Sequence, residues 1–228
     1  LRDAGRLFTL AGRFLYEDRW GGEMDWDDNF RGGTEVYGES IYTKRWELIG
    51  NYQLPTTEKL LLSISYNNHF QDSFYGDMEY VADQRIGFAQ LTWDKELGAH
   101  SLLFGAAMRH TYYDDNTPAT ASKTDVAINN PDRVWLPGIF VQNDITLSEK
   151  QQFLLGMRYD HNSRHGNIWT PRFAYKWSPN EKNTFRINAG TGFRVVNLFT
   201  EEHAVLTGAR EVVINGELEP ERSSNANL

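Results

Sequence analysis

The sequence predicts an all-β protein: an antiparallel, up-and-down transmembrane β-barrel. Three observations lead to this fold class. Apolar and polar side chains alternate with a period of two over nine segments, which is typical of strands with one apolar face. Counted between the connections given below, most of these strands extend over about 10 to 16 residues, against a usual 5 to 6 in globular sheets. The connections between them are alternately short and long, as in outer-membrane barrels.

Nine segments carry the alternation, and each predicts one strand. In chain order they cover residues 8–17, 42–54, 60–67, 87–93, 101–109, 139–147, 151–159, 169–177 and 185–190. Two of them alternate less regularly, residues 87–93 and residues 139–147. In the second of these, Asn143 occupies a position of the apolar phase.

In the seven regular strands, large apolar side chains share one face. From the first strand to the last, these side chains are Phe8, Leu10, Phe14, Tyr16; Tyr42, Trp46, Leu48, Tyr52, Leu54; Leu60, Leu62, Ile64, Tyr66; Leu102, Phe104, Ala106, Met108; Phe153, Leu155, Met157, Tyr159; Trp169, Phe173, Tyr175, Trp177; and Phe185, Ile187, Ala189. The opposite face is polar and often charged, which suits a strand between lipid and a wet interior.

The connections place the two kinds of loop at opposite ends of the sheet. Short connections cover residues 55–59, 98–99, 148–150 and 178–183, whereas long ones cover residues 21–38, 71–83, 111–133 and 193–224, with a shorter polar one at residues 161–166. We call these ends the turn end and the long-loop end. Barrels of the outer membrane have tight periplasmic turns and longer extracellular loops.

The composition excludes several other classes. The chain has 228 residues, 31 acidic and 23 basic, and a formal charge of −8. Its mean hydropathy is −0.58, and no stretch approaches the roughly 18 apolar residues of a membrane helix. It contains no Cys, which excludes disulfide scaffolds and Cys-ligated metals. The acidic balance, without any run of Lys or Arg, argues against nucleic acid as a partner.

Motifs in the second half of the chain resemble a known family. The run Gly190-Thr191-Gly192-Phe193-Arg194 is the centre of the resemblance. Further matching runs lie at residues 138–144, 155–160, 170–175, 185–189, 197–199 and 215–221. Together they resemble the barrel of TonB-dependent outer-membrane receptors, most firmly over residues 134–228.

The resemblance implies an architecture and a function. Such receptors have a 22-stranded barrel closed by an N-terminal plug, with a TonB-binding box before the plug. Residues 1–228 would then be an internal piece of the barrel domain, with about nine to ten strands, and the plug and TonB box would lie outside this chain. The implied location is the outer membrane of a Gram-negative cell, in contact with its lipid. The implied partners are the receptor's own plug, TonB and a small-molecule metal chelate.

The expected activity is therefore active import of a scarce nutrient: cobalamin, a ferric siderophore or haem. Three alternatives stay open on the sequence: a passive porin, a barrel enzyme, and a soluble β-rich binding module. No catalytic constellation stands out, because Gly-x-Ser-x-Gly and His-Glu-x-x-His are both absent, so we expect no enzyme.

Three groups of residues are candidates for function. The ligand-binding candidates at the long-loop end are His161, His165, His203 and Arg210; neutral imidazole can coordinate a metal or stack on a flat ring. The candidates to face the plug from the lumen are Arg158, Arg172, Lys176 and Arg186. Glu23, Asp25, Asp27 and Asp28 place four carboxylates within six residues, which predicts a Ca²⁺ site in an extracellular loop. No other cofactor is expected.

Overall fold

The computed structural model describes residues 7–122, 124–125, 127–195 and 219–228. They form one antiparallel sheet of ten strands in chain order, each paired with its neighbours in sequence. The strands are β1 (Phe8–Gly22), β2 (Gly38–Gln53), β3 (Lys59–Tyr75), β4 (Met78–Leu97), β5 (His100–Asp115), β6 (Asp132–Ser148), β7 (Gln151–Asn162), β8 (Gly166–Asn180), β9 (Asn183–Arg194) and β10 (Glu221–Asn227). Two short 3₁₀ helices lie in loops, at Asp28–Phe30 and Pro118–Thr120. Within these residues, no helix is long and apolar enough to cross a membrane.

The predicted fold class is confirmed: the sheet is all-β, antiparallel and up-and-down. All nine predicted strands exist, and most are longer than the alternating pattern alone indicates. The tenth strand, β10, pairs with β9 and lies partly within the connection predicted at residues 193–224.

One predicted long connection is wrong. Residues 71–83 belong almost entirely to β3 and β4, which continue to Tyr75 and from Met78. Gly76 has a φ of +63° and opens a two-residue turn, a position at which a tight hairpin favours glycine. The hairpin therefore continues the wall instead of forming a loose loop. β3 is paired with β2 as far as Tyr75, whereas β4 begins at Met78 and its pairing with β5 ends at Ala82.

The sheet has one apolar face and one polar face, which we call the outer and inner faces. Leu155 and Met157 on the outer face remain 48% and 44% exposed, so the row predicted to contact lipid is not buried in a globular core. Asn143, the irregular polar residue of this face, lies with its Nδ2 2.9 Å from Nδ1 of His100.

Aromatic side chains form two rows on the outer face. The loop-side row consists of three cross-strand pairs with ring centroids 4.9, 4.2 and 4.6 Å apart: Trp46–Tyr66, His110–Trp135 and Tyr159–Trp169. The turn-side row consists of Phe8–Tyr52, Trp93–Phe104, Phe153–Tyr175 and Trp177–Phe185. Along β7, Phe153 and Tyr159 are six residues apart, about 20 Å of extended chain. Two such rows are typical of the membrane interfaces of a barrel.

Candidate functional site: the inner wall and its long-loop end

The structure places all four predicted lumen cations on the inner face. Arg158 lies on β7, Arg172 and Lys176 lie on β8, and Arg186 lies on β9. Along each strand, these cations alternate with the aromatic residues of the outer face, so they lie on the opposite side of the sheet. Their partners within the wall, however, separate them into two groups.

Arg158 is paired within its own strand. Its Nε and Nη2 donate to the two carboxylate oxygens of Asp160, at 2.7 and 2.6 Å. The Asp160 side chain is fully buried, and the guanidinium lies 5.5 Å from the centre of the Phe140 ring. Gly138 faces Asp160 across the β6–β7 pair, and a Cβ there would lie 2.1 Å from Asp160 Oδ1. The wall is therefore shaped around this ion pair.

The other three cations form a group nearer the turn end. Lys176 and Arg186 are direct cross-strand partners, an arrangement in which like charges repel. Both line a shallow recess of about 190 Å³ on the inner face, together with Asp144 and Gln152. Among the described residues, no carboxylate forms an ion pair with Arg172, Lys176 or Arg186. This region of the wall presents three cations to the interior without an ion-paired partner, and Asp144 is the carboxylate that shares the recess of Lys176 and Arg186.

The long-loop end of the inner face carries a buried cluster that the sequence analysis did not identify. Tyr75, Tyr80 and Tyr113 pack there with Ile41 and Ala82; we call this the tyrosine cluster. The hydroxyls of Tyr80 and Tyr113 lie 3.0 Å apart, and Tyr113 also donates to Asp115. The sequence signal that could have revealed this cluster is that the alternation of β3 and β4 continues to their loop ends, where Tyr75 and Tyr80 occupy inner-face positions.

The tyrosine cluster is held by hydrogen bonds and lies beyond the loop-side aromatic row. Ser73 Oγ donates to the backbone oxygen of Tyr80 at 3.0 Å, and Gln71 Nε2 donates to Ser73 Oγ at 3.1 Å. Burial raises the pKa of the Tyr75 phenol. Burial, followed by the hydrogen bonds to Asp115 and Tyr80, raises the pKa of Tyr113. These phenols therefore stay neutral, as hydrogen-bonding groups, at and well above neutral pH.

The loop between β1 and β2 lies against the outer face of this end. Arg31 Nε donates to Ser40 Oγ at 2.6 Å and Nη2 donates to Asp72 Oδ1 at 2.8 Å. The same guanidinium stacks over the rings of Tyr42 and Phe74, 4.4 and 4.5 Å from their centres. Arg31 thereby holds this loop on the outer side of the wall, and we call its contacts the Arg31 latch.

The four acidic residues predicted to bind Ca²⁺ lie in the same loop. Asp27 Oδ1 accepts from the backbone N–H of Asn29 at 2.8 Å and so caps the first 3₁₀ helix. Glu23 Oε1 accepts from the backbone N–H of Tyr37 at 3.2 Å. In the described part of the chain, no three His, Asp or Glu side chains meet as a metal-binding group. The role of Asp25 and Asp28, and with it the calcium site, stays a prediction.

The predicted ligand-binding residues are only partly within the described chain. His161 lies on the outer face, where its Nδ1 is 2.8 Å from Asn167 Oδ1, which also accepts from the Tyr159 hydroxyl. His165 lies in the β7–β8 turn, and its backbone N–H donates to Asn162 Oδ1 at 3.1 Å. His203 and Arg210 lie outside the described residues. The structure thus brings His161 and His165 to the same turn at the long-loop end, and their role in ligand binding stays a prediction.

The two-faced sheet, with its aromatic rows and charged inner wall, defines a β-barrel wall of the outer-membrane type. A family model described as TonB dependent receptor-like, beta-barrel, matches residues 2–228, and the chain belongs to that family. Among curated proteins, none matches the sequence.

Several solved structures share the fold. A variant of the ferric enterobactin receptor PfeA of Pseudomonas aeruginosa has a TM-score of 0.57 and 14% identity, over 71% of this chain and 26% of its own. The siderophore receptor PirA of the same organism has a TM-score of 0.55 and 15% identity, over 72% and 28%. PirA of Acinetobacter baumannii has a TM-score of 0.54 and 12% identity, over 69% and 26%. The chain thus spans only about a quarter of the length of these receptors.

Proposed function

We propose that this chain is part of the barrel wall of an outer-membrane receptor that captures a scarce metal chelate and imports it with energy delivered through TonB. The proposal assigns the chain to the barrel domain and places the plug and TonB box elsewhere in the receptor. Ferric siderophores are the first ligand class to test, because the similar structures are named as receptors of such compounds. Cobalamin and haem are the other two.

The observation that carries the proposal is the group of inner-face cations near the turn end. Arg172, Lys176 and Arg186 form no ion pair within the described wall, and Lys176 directly faces Arg186. The single carboxylate of Asp144 shares the recess of this facing pair, so two cations there meet one acidic group. Like charges held together in this way are favourable only when an acidic or polar partner, or water, lies against them. A plug domain whose carboxylates and carbonyl oxygens meet these cations across a wet interface supplies such a partner.

The long-loop end supplies a surface suited to a ligand on the same inner face. The tyrosine cluster offers neutral hydroxyl groups and aromatic rings beyond the loop-side aromatic row. The Arg31 latch keeps the acidic loop on the opposite side of the wall, so its carboxylates do not line the path to the lumen. An anionic ferric chelate would then meet less repulsion than the net charge of the chain suggests.

Uptake by the full-length receptor tests the proposal. Cells that express the receptor would be given one radiolabelled ligand at a time, with and without TonB. The ligands are ⁵⁵Fe-labelled catecholate and hydroxamate siderophores, ⁵⁵Fe-labelled haem, and cobalamin labelled on its cobalt. We expect one ligand to accumulate only when TonB is present, while its binding to the cell surface is unaffected by the loss of TonB. Equal accumulation without TonB would identify a passive porin and contradict active import.

Ligand-binding measurements test the individual residues. If a histidine holds haem, His203→Ala should weaken haem binding, with His161→Ala, His165→Ala and Arg210→Ala as parallel variants. If calcium orders the loop of Glu23, Asp25, Asp27 and Asp28, chelating Ca²⁺ should weaken ligand binding. Affinities that do not change would reject the corresponding role.

A further inference from the structure

Two arginines flank one tyrosine on the outer face, immediately beyond the loop-side aromatic row. Tyr112 on β5 pairs with Arg85 on β4 and with Arg133 on β6. The two guanidinium carbons lie 5.2 and 5.7 Å from the centre of the Tyr112 ring, within the range of cation–π attraction. One ring therefore attracts two guanidinium groups, one from each neighbouring strand.

We call Tyr112, Arg85 and Arg133 the triad. Its two arginines differ, because Arg85 forms an ion pair with Asp83 and Arg133 forms none within the described residues. Arg85 Nε donates to Asp83 Oδ2 at 2.9 Å, and Asp83 Oδ1 also accepts from Asn68. Asp114 Oδ2 accepts from the Tyr112 hydroxyl at 3.0 Å and from Asn129 Nδ2 at 3.2 Å. Arg133 is exposed and, in the part of the chain that the structure describes, forms no ion pair. Asp83 and Asp114 thus each have hydrogen-bond partners, although Asp114 Oδ1 is buried without one, and the exposed Arg133 retains donors for an external anion.

The position of the triad indicates what that anion is. His110 and Trp135 form the next cross-strand pair on the outer face, two residues nearer the turn end than Tyr112 and Arg133. Their rings stack in the loop-side aromatic row. Ile139 and Met108 lie on the same face towards the turn end and are 60% and 41% exposed. Aromatic rows mark the boundary between hydrocarbon and headgroups. An anion at Arg133 would therefore lie at headgroup height, with an apolar surface directly below it.

We propose that Arg133, with Arg85 and Tyr112, binds the phosphate of an anionic lipid in the leaflet at the long-loop end, and that the lipid's acyl chains lie along Trp135, Ile139 and Met108. Arginine donors match phosphate oxygens in geometry and charge, and basic clusters at membrane interfaces bind anionic headgroups. The site goes beyond nutrient import and needs only that this wall spans the membrane.

Native mass spectrometry of the full-length receptor in detergent tests the site. The delipidated receptor would be titrated with a bisphosphorylated lipid A and, separately, with the same glycolipid without its phosphates. We expect Arg133→Gln to weaken binding of the phosphorylated lipid about tenfold, the loss of a charge-assisted hydrogen bond. Arg133→Lys, which keeps the charge and loses the planar donors, should weaken it less. Lys182→Gln, the same charge change in the β8–β9 turn at the other end of the wall, should leave binding unchanged.

Three outcomes would overturn the site: wild-type affinity in Arg133→Gln, equal binding of the glycolipid without phosphates, or displacement of the lipid by millimolar inorganic phosphate. Heat-modifiable mobility of each variant on gels shows whether its barrel is folded. Ligand uptake is measured on the same variants, and we expect Arg133→Gln to transport normally. A failure of import therefore does not resemble a failure of lipid binding.

Discussion

The two ends of the wall differ in how they satisfy their polar side chains. At the long-loop end, three prominent polar groups have a partner within the chain: Arg31 in its latch, Arg158 with Asp160, and Tyr80 with Tyr113. Nearer the turn end, Lys176 and Arg186 face each other on the inner surface and form no ion pair with a carboxylate of the described wall, although Asp144 lines the same recess.

This difference distinguishes charged side chains that are paired within the wall from charged side chains that remain available to another domain. A fully buried carboxylate such as Asp160 must be paired where it stands, because an isolated buried charge is strongly unfavourable. Exposed cations such as Arg186 can remain unpaired in the wall while another domain or water meets them. Substitutions of the paired charged groups at the long-loop end should therefore affect stability, whereas substitutions of the facing cations nearer the turn end should affect contact with the plug.

The largest effect is expected from breaking the Arg158–Asp160 pair. Asp160→Ala should lower the free energy of unfolding by about 2 kcal/mol, below the range for fully buried pairs, because water reaches the Arg158 side chain, which is 34% exposed. Gly138→Ala should also destabilise the wall, because its Cβ would lie 2.1 Å from Asp160 Oδ1. Denaturant unfolding of the receptor in lipid vesicles measures both.

The double variant Gly138→Ala/Asp160→Ala provides the control. Removing the carboxylate removes the clash, so the double variant should be less destabilised than the sum of the two single changes. Additive losses would show that Gly138 and Asp160 do not act on each other.

A smaller, local effect is expected at the Arg31 latch. Arg31→Ala removes three hydrogen bonds and two ring contacts, which should destabilise the loop by about 1–2 kcal/mol. A protease that cleaves after acidic residues should then cut at Glu23 or Glu35 several-fold faster. Arg13→Ala, which removes only the ion pair of a largely exposed arginine with Glu47, should leave the cleavage rate unchanged. Equal rates in all three proteins would contradict the latch.

The smallest effect on stability is expected near the turn end. Lys176→Gln and Arg186→Gln should change the free energy of unfolding by less than about 0.5 kcal/mol, because each removes one of two facing like charges. Both should nevertheless reduce TonB-dependent uptake several-fold if these cations contact the plug. Lys182→Gln, in the turn after β8, is the matched control. A marked loss of stability with unchanged uptake would reverse the assignment of the two ends.

The fold was predictable where a single local rule applies. Alternation located the strands because the two faces meet different surroundings. It failed over residues 71–83, where polar Gln71 and Ser73 share a phase with Tyr75 and the hairpin lies beyond the aromatic rows. The two-residue turn at Gly76 was the available signal for that hairpin.

The candidate site was less predictable, because partners are not visible in a periodic pattern. Alternation places Arg158 and Arg172 on the same face, and only the coordinates show that Asp160 engages the first of them. Arg31 contacts Asp72, 41 residues away in sequence, so no local spacing could have indicated its role. The roles of His203 and Arg210 stay predictions, since both lie outside the described residues.

The order of the sheet has a consequence for biogenesis. Because each strand of the ten pairs only with its neighbours in sequence, the wall can grow hairpin by hairpin without threading one segment past another. Contacts of this kind have short loop closures and favour fast folding. A sheet that has not yet closed exposes its first strand as well as its most recently added one, so an assembly factor would need to shield two rows of open backbone hydrogen-bonding groups until the barrel closes.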